Sequence, residues 1–265
     1  MMYLETVAVD YTKEVAENVW VIGFRSARIT EVLRPGQFLN IKPDSSYDPL
    51  LRRAYSVHRV DGDKIELIYN VHGKGSAIFA AKRPGDPLDV MGPLGVPFRL
   101  DGKFKKGILV SGGLGIAPMP ILGEALHQRG YDVVNIHGAR NASMIVQDDR
   151  LRNPHYATDD GSLGLHSNVV QAVEHYLDRD HSNDSVRLFA CGPNKMLDSL
   201  TEFCANRDLD LKVSLECQMA CGIGICQGCP VEMKRGNRKY TLVCMHGPNY
   251  DVGDLVLESL PTEHG

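Results

Sequence analysis

Apolar and polar positions alternate through most of the first hundred residues, in the runs "ETVAVDY", "NVWVIGFRS", "GQFLNIKP", "RAYSVHRV" and "KIELIYNVH". A period of two is that of a strand with one buried face. The Gly, Pro and Asp residues between the runs are turn formers. Short strands at this spacing predict a small antiparallel β-barrel. From about residue 105 the pattern changes to apolar strand, glycine turn and amphipathic helix: "KGILVSGGLGIAPMPILGEALHQRG", then "DVVNIHGAR", "NVVQAVEHYL", "VRLFAC" and "NKMLDSLTEFCANRDL". That alternation predicts a doubly wound parallel sheet covered by helices. Beyond about residue 212 the chain is irregular and cysteine-rich, with β-like "CPVEM" and "KYTLVCMHGP" and too little apolar material for a core of its own. A bound metal centre would supply what that segment lacks. The expected fold class is multidomain, β and α/β, with a β-barrel over 1–102, a parallel-sheet domain over 103–212 and a small C-terminal domain over 213–265.

Two glycine turns fall where such a sheet binds ligands, at the carboxyl ends of its strands. In "LVSGGLGIAPM" the strand Gly107–Ser111 runs into Gly112, Gly113 and Gly115, and helical spacing follows from Ile116 to Gln128 with Pro118 in its first turn. Glycines there let backbone N–H groups approach a pyrophosphate at the positive end of a helix. In "LFACGPNKML" a late strand ends in Cys191, Gly192 and Pro193. Either turn alone is an ordinary strand-to-helix connection; the two together favour a dinucleotide. In the barrel region, "RRAYS" sets Arg53 and Tyr55 on one face of a strand and Ser56 on the other. Arg53 suits bidentate phosphate binding, and Tyr55 suits packing against a flat ring. "HGKGS" before "AIFAAK" reads as a second phosphate cradle ahead of a short helix. Each of these also has a plain reading, as a polar strand edge and a hairpin turn.

Charge and cysteine content narrow the function classes. With 29 basic residues against 33 acidic ones and no Lys/Arg tract, nothing points to nucleic acid. The start "MMYLETVAVDY" lacks the regions of a signal peptide, and no apolar run is long enough to span a membrane. A soluble cytoplasmic protein is expected. Seven cysteines are an odd number for a disulfide framework. Cys221, Cys226, Cys229 and Cys244 read C-x4-C-x2-C-x14-C, the short loop plus distant fourth ligand of plant-type [2Fe–2S] sites. Zinc sites more often carry two C-x2-C pairs, and only Cys226 and Cys229 form one here. Gly222, Gly224 and Gly228 let the loop wrap closely and turn N–H groups toward cluster sulfurs. Cys217 is expected to be a spectator and Cys204 a small buried hydrophobe.

In order along the chain, "RAYS", "GKGS", "GPLGVPF", "GGLGIAP" and "CGP" resemble the ferredoxin reductase superfamily, in which a flavin-binding barrel is joined to a nicotinamide-binding domain. With the cysteine-rich tail, essentially the whole chain resembles the electron transfer subunits of class B dihydroorotate dehydrogenases. The resemblance implies FAD contacts at Arg53, Ala54, Tyr55 and Ser56, at Ile68, Tyr69 and Asn70, and at Gly75 and Ser76. It implies NAD contacts around Gly113, Gly115 and Pro118 and near Cys191, Gly192 and Pro193, and a [2Fe–2S] cluster on the four cysteines. Ala54, Asn70 and Ser76 stand where the family commonly has proline, arginine and threonine. The implied activity is that of an oxidoreductase subunit: electrons from NADH pass through FAD and the cluster to a separate FMN-containing catalytic subunit that interconverts dihydroorotate and orotate, in a complex with two of each chain. Other assemblies share the layout, among them ferredoxin:NADP oxidoreductases, sulfide dehydrogenases and hydrogenases. A zinc-stabilised nucleotide or redox sensor is the alternative from another class.

No separate catalytic set accompanies these motifs. The histidines are dispersed without a metal-type doublet, and no nucleophile with a base is evident. "YATDDGSLGLHSNVV" resembles a stretch beside the family's nicotinamide edge, and reads equally as a solvated loop with a helix cap. Arg140, after the second strand of the sheet domain, stands where a cation could take a 2′-phosphate, whereas the resemblance implies NADH.

Overall fold

The computed structural model describes residues 1–181, 184–236 and 238–257. Six strands close a barrel in the order β1-β2-β5-β4-β3-β6: β1 (Tyr3–Ala16), β2 (Val19–Arg25), β3 (Phe38–Lys42), β4 (Arg53–Asp61), β5 (Lys64–Asn70) and β6 (Pro87–Leu94). Every pairing is antiparallel. Alternate residues fill the interior, where Phe24, Leu39, Ile41, Ile65, Leu67 and Leu88 are fully buried. Helix α1 (Ala27–Val32) caps one crossing, with the Ser26 hydroxyl accepting from the Ile29 N–H. Helix α2 (Lys74–Ala80) is the short helix expected from "AIFAAK", but it starts earlier than expected, inside "HGKGS" at Lys74, so Gly75 and Ser76 lie in its first turn rather than ahead of it.

A seven-stranded sheet runs in the order β10-β9-β8-β7-β11-β12-β15. It comprises β7 (Lys106–Gly112), β8 (Asp132–Ala139), β9 (Pro154–Thr158), β10 (Leu165–His166), β11 (Val186–Cys191), β12 (Asp210–Ser214) and, after the small hairpin β13 (Pro230–Glu232) and β14 (Tyr240–Leu242), β15 (Asn249–Asp251). All neighbours are parallel except β12 and β15. The helices are α3 (Met119–Gln128), α4 (Val169–Arg179) and α5 (Asn194–Asn206). Because β7 pairs with β8 on one side and β11 on the other, the chain order reverses there. That reversal opens the crevice in which doubly wound sheets bind ligands.

Two local expectations are corrected. The helix after the first glycine turn does not begin at Ile116: Gly113–Ile116 forms a 3-10 turn, and α3 starts at Met119 behind Pro118. Pro118 and Pro120 lack N–H groups, so a regular helix is cheapest from this point on. The strand-like "KYTLVCMHGP" is a strand only to Leu242; Val243–His246 is the helical turn α6.

Among the described residues the cysteine-rich segment has no core of its own. Cys229, Val231, Val243, Cys244, Leu255 and Leu257 share one apolar cluster with the sheet residues Val110, Ala190 and Val213 and with Phe38, Met91 and Leu94 of the barrel. The segment is also strapped down by hydrogen bonds: Asn249 Nδ2 donates to the Gly36 and Val96 carbonyls at 2.9 and 2.7 Å, and the Leu215 N–H donates to the Pro248 carbonyl at 2.9 Å. Residues 258–265 of the expected third domain lie outside the described residues.

Candidate functional site

Strand β4 brings the barrel's candidate residues to the crevice. It pairs with β3 in the register Ser56 to Phe38, Tyr55 to Leu39, Ala54 to Asn40 and Arg53 to Ile41. Leu39 and Ile41 belong to the barrel interior, so Arg53 and Tyr55 share the inner face while Ala54 and Ser56 face outward. The Tyr55 ring lies 5.5 Å from both Tyr69 and Phe79, and burial raises its phenol far above the ordinary value. Arg53 sits at the mouth of the barrel, with Nη1 donating to the Leu51 carbonyl at 2.8 Å. Gly75 closes against this guanidinium: a Cβ at that position would stand 3.2 Å from Arg53 Nε. Gly75 and Arg53 therefore form one cradle in which a side chain would displace the cation.

The third expected barrel stretch is mostly inside. Ile68 and Tyr69 are 1% exposed, side chain and backbone alike, within the β2–β5 pairing. Tyr69 Oη and Asn70 Oδ1 are buried without a hydrogen-bond partner among the described residues, as atoms awaiting a polar ligand would be. The Ser76 hydroxyl accepts from the N–H groups of His72 and Gly73 at 2.9 and 3.3 Å and donates to the Gly73 carbonyl at 3.1 Å. It serves the start of α2 first; the ligand role read from the sequence is left to its backbone.

The two sheet turns meet. A Cβ on Gly115 would lie 2.0 Å from the Cys191 carbonyl oxygen and 2.7 Å from the Gly192 nitrogen. Gly115 is thus the floor on which the Cys191–Pro193 turn rests. Gly113 has φ +52° with open space around it, so its backbone is the accessible one. Cys191 is 2% exposed at the end of β11, and its thiol approaches the Glu216 carboxylate at 3.7 Å. Sequence reading missed Glu216; its only signal was a place just ahead of the cysteine loop. The Thr158–Gly161 loop satisfies itself: Thr158 Oγ1 donates to the Leu163 carbonyl at 2.9 Å and Asp160 accepts from Ser162, while Asn168 caps α4.

The four cysteines fall into two pairs. Cys229 and Cys244 are buried, with their sulfurs 3.3 Å apart, well beyond the roughly 2.05 Å of a disulfide. Burial, and then the Cys229 sulfur beside it, push the Cys244 thiol up to about 12. On the outer side, the Cys226 N–H donates to Cys221 Sγ at 3.4 Å and the Gly228 N–H donates to Cys226 Sγ at 3.4 Å. Burial would raise the Cys221 thiol, but the N–H groups of Cys226 and Ile223 outweigh it and bring it down to about 7. Among the described residues no three ligating side chains converge on a single point. Two close pairs of thiols suit a binuclear centre, in which each metal takes two sulfurs, better than one tetrahedral ion. Cys217 lies in the same pocket, its thiol pushed up to about 12 by burial and by Cys229 and Cys244. Cys204 is 2% exposed inside α5, a buried hydrophobe as expected.

Comparison with known proteins places this geometry. Residues 216–256 match the iron-sulfur cluster binding domain of dihydroorotate dehydrogenase B. Over 97% of its length the chain is 35% identical to the electron transfer subunit of dihydroorotate dehydrogenase B (NAD(+)) from Bacillus caldolyticus, covering 100% of that protein. The chain belongs to this family. Its Enterococcus faecalis V583 relative of the same name is 33% identical over 96% of this chain and 98% of its own. Among solved structures, a NADH-dependent reduced ferredoxin-NADP oxidoreductase superposes with a TM-score of 0.84 at 25% identity, over 96% of this chain and 91% of that one. Phthalate dioxygenase reductase, with a TM-score of 0.60 at 17% identity over 91% of this chain and 77% of its own, shares the fold. As a dihydroorotate dehydrogenase B electron transfer subunit, the chain is part of an oxidoreductase. No helix among its described residues is long and apolar enough to cross a membrane.

Proposed function

We propose that this chain takes electrons from NADH and passes them, through FAD and a [2Fe–2S] cluster, to an FMN-containing catalytic subunit that interconverts dihydroorotate and orotate. Two chains of each kind would form the working complex, in the cytoplasm, as a step of pyrimidine synthesis. The observation that carries this reading is the pairing of four thiols in the family-matched segment, packed directly against the outer face of β3 and β4.

Bound together, the three groups supply hydride acceptance, the division of an electron pair and single-electron export. The chain's residues bind and orient. Arg53 holds a pyrophosphate beside Gly75, the Ala54–Ser56 backbone and the Ser56 hydroxyl face the isoalloxazine position, and Ile68, Tyr69, Asn70 and the backbone of Ser76 complete the FAD contacts. Gly113, Gly115 and Pro118 shape the turn that receives the NAD pyrophosphate. Cys191, Gly192 and Pro193 bound the nicotinamide position, with Glu216 anchoring the Cys191 thiol. Cys221 with Cys226, and Cys229 with Cys244, are the pairs that would hold the cluster's irons. The buried Cys244 turn excludes water from the inner pair, and the exposed Cys226 leaves the outer pair near the surface.

The test is spectroscopic before it is kinetic. The purified protein is expected to hold FAD with equal iron and acid-labile sulfide, and NADH is expected to bleach both chromophores anaerobically. Zinc in place of iron, a colourless protein, or a strong preference for NADPH would refute the assignment. Likeness to the ferredoxin-NADP oxidoreductase at a TM-score of 0.84 favours a second reading, an electron transfer subunit of another NAD(P)H-linked complex. Reconstitution with a dihydroorotate dehydrogenase catalytic subunit separates the two: NADH-driven orotate reduction supports the first reading, and its absence with both subunits loaded supports the second.

A further inference from the structure

Asn40 is out of place by the logic of its strand. Its neighbours Leu39 and Ile41 face the barrel interior, so the Asn40 side chain points outward, where an amide would normally be solvated. It is instead 0% exposed. What covers it is the cysteine loop: Asn40 Nδ2 donates to the Cys221 carbonyl at 3.1 Å, across 181 residues of sequence. The cover fits closely. Gly222 has φ +73°, and a Cβ there would lie 2.5 Å from Asn40 Nδ2. The strand beneath is fixed as well, because Arg52 Nη1 donates to the Asn40 carbonyl at 3.2 Å while Nη2 grips both Asp89 oxygens at 2.9 Å. Asn40 Oδ1 is buried with no partner among the described residues.

Burying an amide with one oxygen unsatisfied carries a desolvation cost that a leucine of similar size would not incur. Packing alone does not account for that cost; a directional contact does. A trans peptide is planar, with its C=O and N–H opposed. With the Cys221 carbonyl held by Asn40, the Gly222 N–H is turned away from the barrel, and the loop that follows supplies the Cys226 N–H to Cys221 Sγ. Asn40 also stands opposite Ala54 in the β3–β4 register, within the stretch assigned above to the flavin.

We infer that Asn40 is a positioning residue: from the flavin-side strand it sets the orientation of the Cys221–Gly222 peptide, and through it the place of the first cluster thiolate relative to the flavin. This rests on the functional reading above. The experiment uses the holoprotein. Asn40→Leu is expected to keep FAD and iron per chain, yet to change the EPR spectrum of the reduced cluster and its midpoint potential. Flavin-to-cluster transfer after a single NADH addition should slow by about tenfold or more, as for other small misplacements of reacting groups. Gly222→Ala should reproduce the spectral change. Because both act on one contact, Asn40→Ala with Gly222→Ala should be no worse than the more severe single variant. If Asn40→Leu does not accumulate, the smaller and still polar Asn40→Ser gives the same readouts, together with hydrogen exchange at Gly222–Gly224. Unchanged EPR, potential and transfer rate in variants that are merely less heat-stable would overturn the inference alone. A wild-type protein without cluster and flavin would overturn both it and the functional reading.

Discussion

Gly115 and Gly113 stand two positions apart in one turn and are glycine for different reasons. At Gly115 a Cβ would meet the Cys191 carbonyl carbon at 2.4 Å, a collision with backbone that no rotamer relieves. Gly115→Ala is therefore expected to part the two sheet turns, raising the KM for NADH by about tenfold or more while FAD content stays unchanged. Gly113→Ala meets nothing and should cost only about 1 kcal/mol of left-handed backbone strain. Sequence reading found both glycines for the ligand turn; the further need for glycine at Gly115 was not legible, because a backbone contact 76 positions downstream leaves no local trace. His137 was passed over for the same reason. It is 0% exposed, with Nδ1 2.9 Å from Ser111 Oγ, and burial, opposed by the Ser111 carbonyl, holds its imidazole down to about 4. Below about pH 6.5 the unfolded chain binds a proton at this position that the folded chain refuses. Stability is therefore complete above that pH and falls toward pH 4 by at most about 1.4 kcal/mol per unit. Urea midpoints at about pH 7 and pH 5 should show the fall, and His137→Gln should flatten it. Carboxylates lowered in the fold, such as Asp148 and Glu66, add their own losses from about pH 5 downward, so the His137→Gln comparison isolates the imidazole.

Strand β4 works at both ends. Past the residues assigned to the flavin, His58 Nδ1 donates to the Ala117 carbonyl in the nucleotide turn at 2.9 Å, and Nε2 lies 3.0 Å from Asp148. Arg59 grips the same carboxylate, with Nε donating at 2.7 Å. Asp148 is 6% exposed; its burial would raise its carboxyl, but hydrogen bonds from His58 and Arg59 hold it far below the usual range. Removing one partner of a buried ionic network strands the others, so Asp148→Ala should cost roughly 3–5 kcal/mol of unfolding free energy, measured by denaturant titration. A loss under about 1 kcal/mol would mean that the joint is solvated. The strand itself was readable from alternation, and so were most strands and helices of the barrel and sheet. Its contact with Asp148 was not, since "VQDDR" carries no periodicity. Elements that depend on distant partners were misread or missed. The strand Asn249–Asp251 is three polar residues held by Lys212–Ser214, and the helical turn at Cys244 follows from the packing of Val243 and Cys244 in the shared core.

Across the whole molecule, the three regions differ in what they lose when the cysteine loop is altered. Cys226 is exposed and belongs to the outer pair, so Cys226→Ser should remove most iron and acid-labile sulfide, serine oxygen being a poor substitute for thiolate. NADH should still bleach the FAD of that variant, while reduction of the partner's FMN stops. Undiminished NADH-driven orotate reduction by the cluster-free complex would show that electrons have another exit. Cys217→Ser should keep its iron. The motif spacing singled out the four cysteines that the structure brings together as two pairs; the shared core that joins them to barrel and sheet did not follow from a segment so poor in apolar residues. The chain leaves the sheet at Ser214, traces the whole cysteine loop, and only then returns at Asn249 to lie antiparallel against β12. The last strand of the nucleotide sheet is thus delivered by the metal-binding segment. A chain synthesised without iron would hold β12 as an open edge, a row of unpaired N–H and C=O groups ready to template another copy. Iron starvation should therefore lower the soluble yield, and supplying iron before synthesis should raise it where adding it afterwards does not, the soluble cluster-free molecules being those in which Asn249–Asp251 has already covered β12.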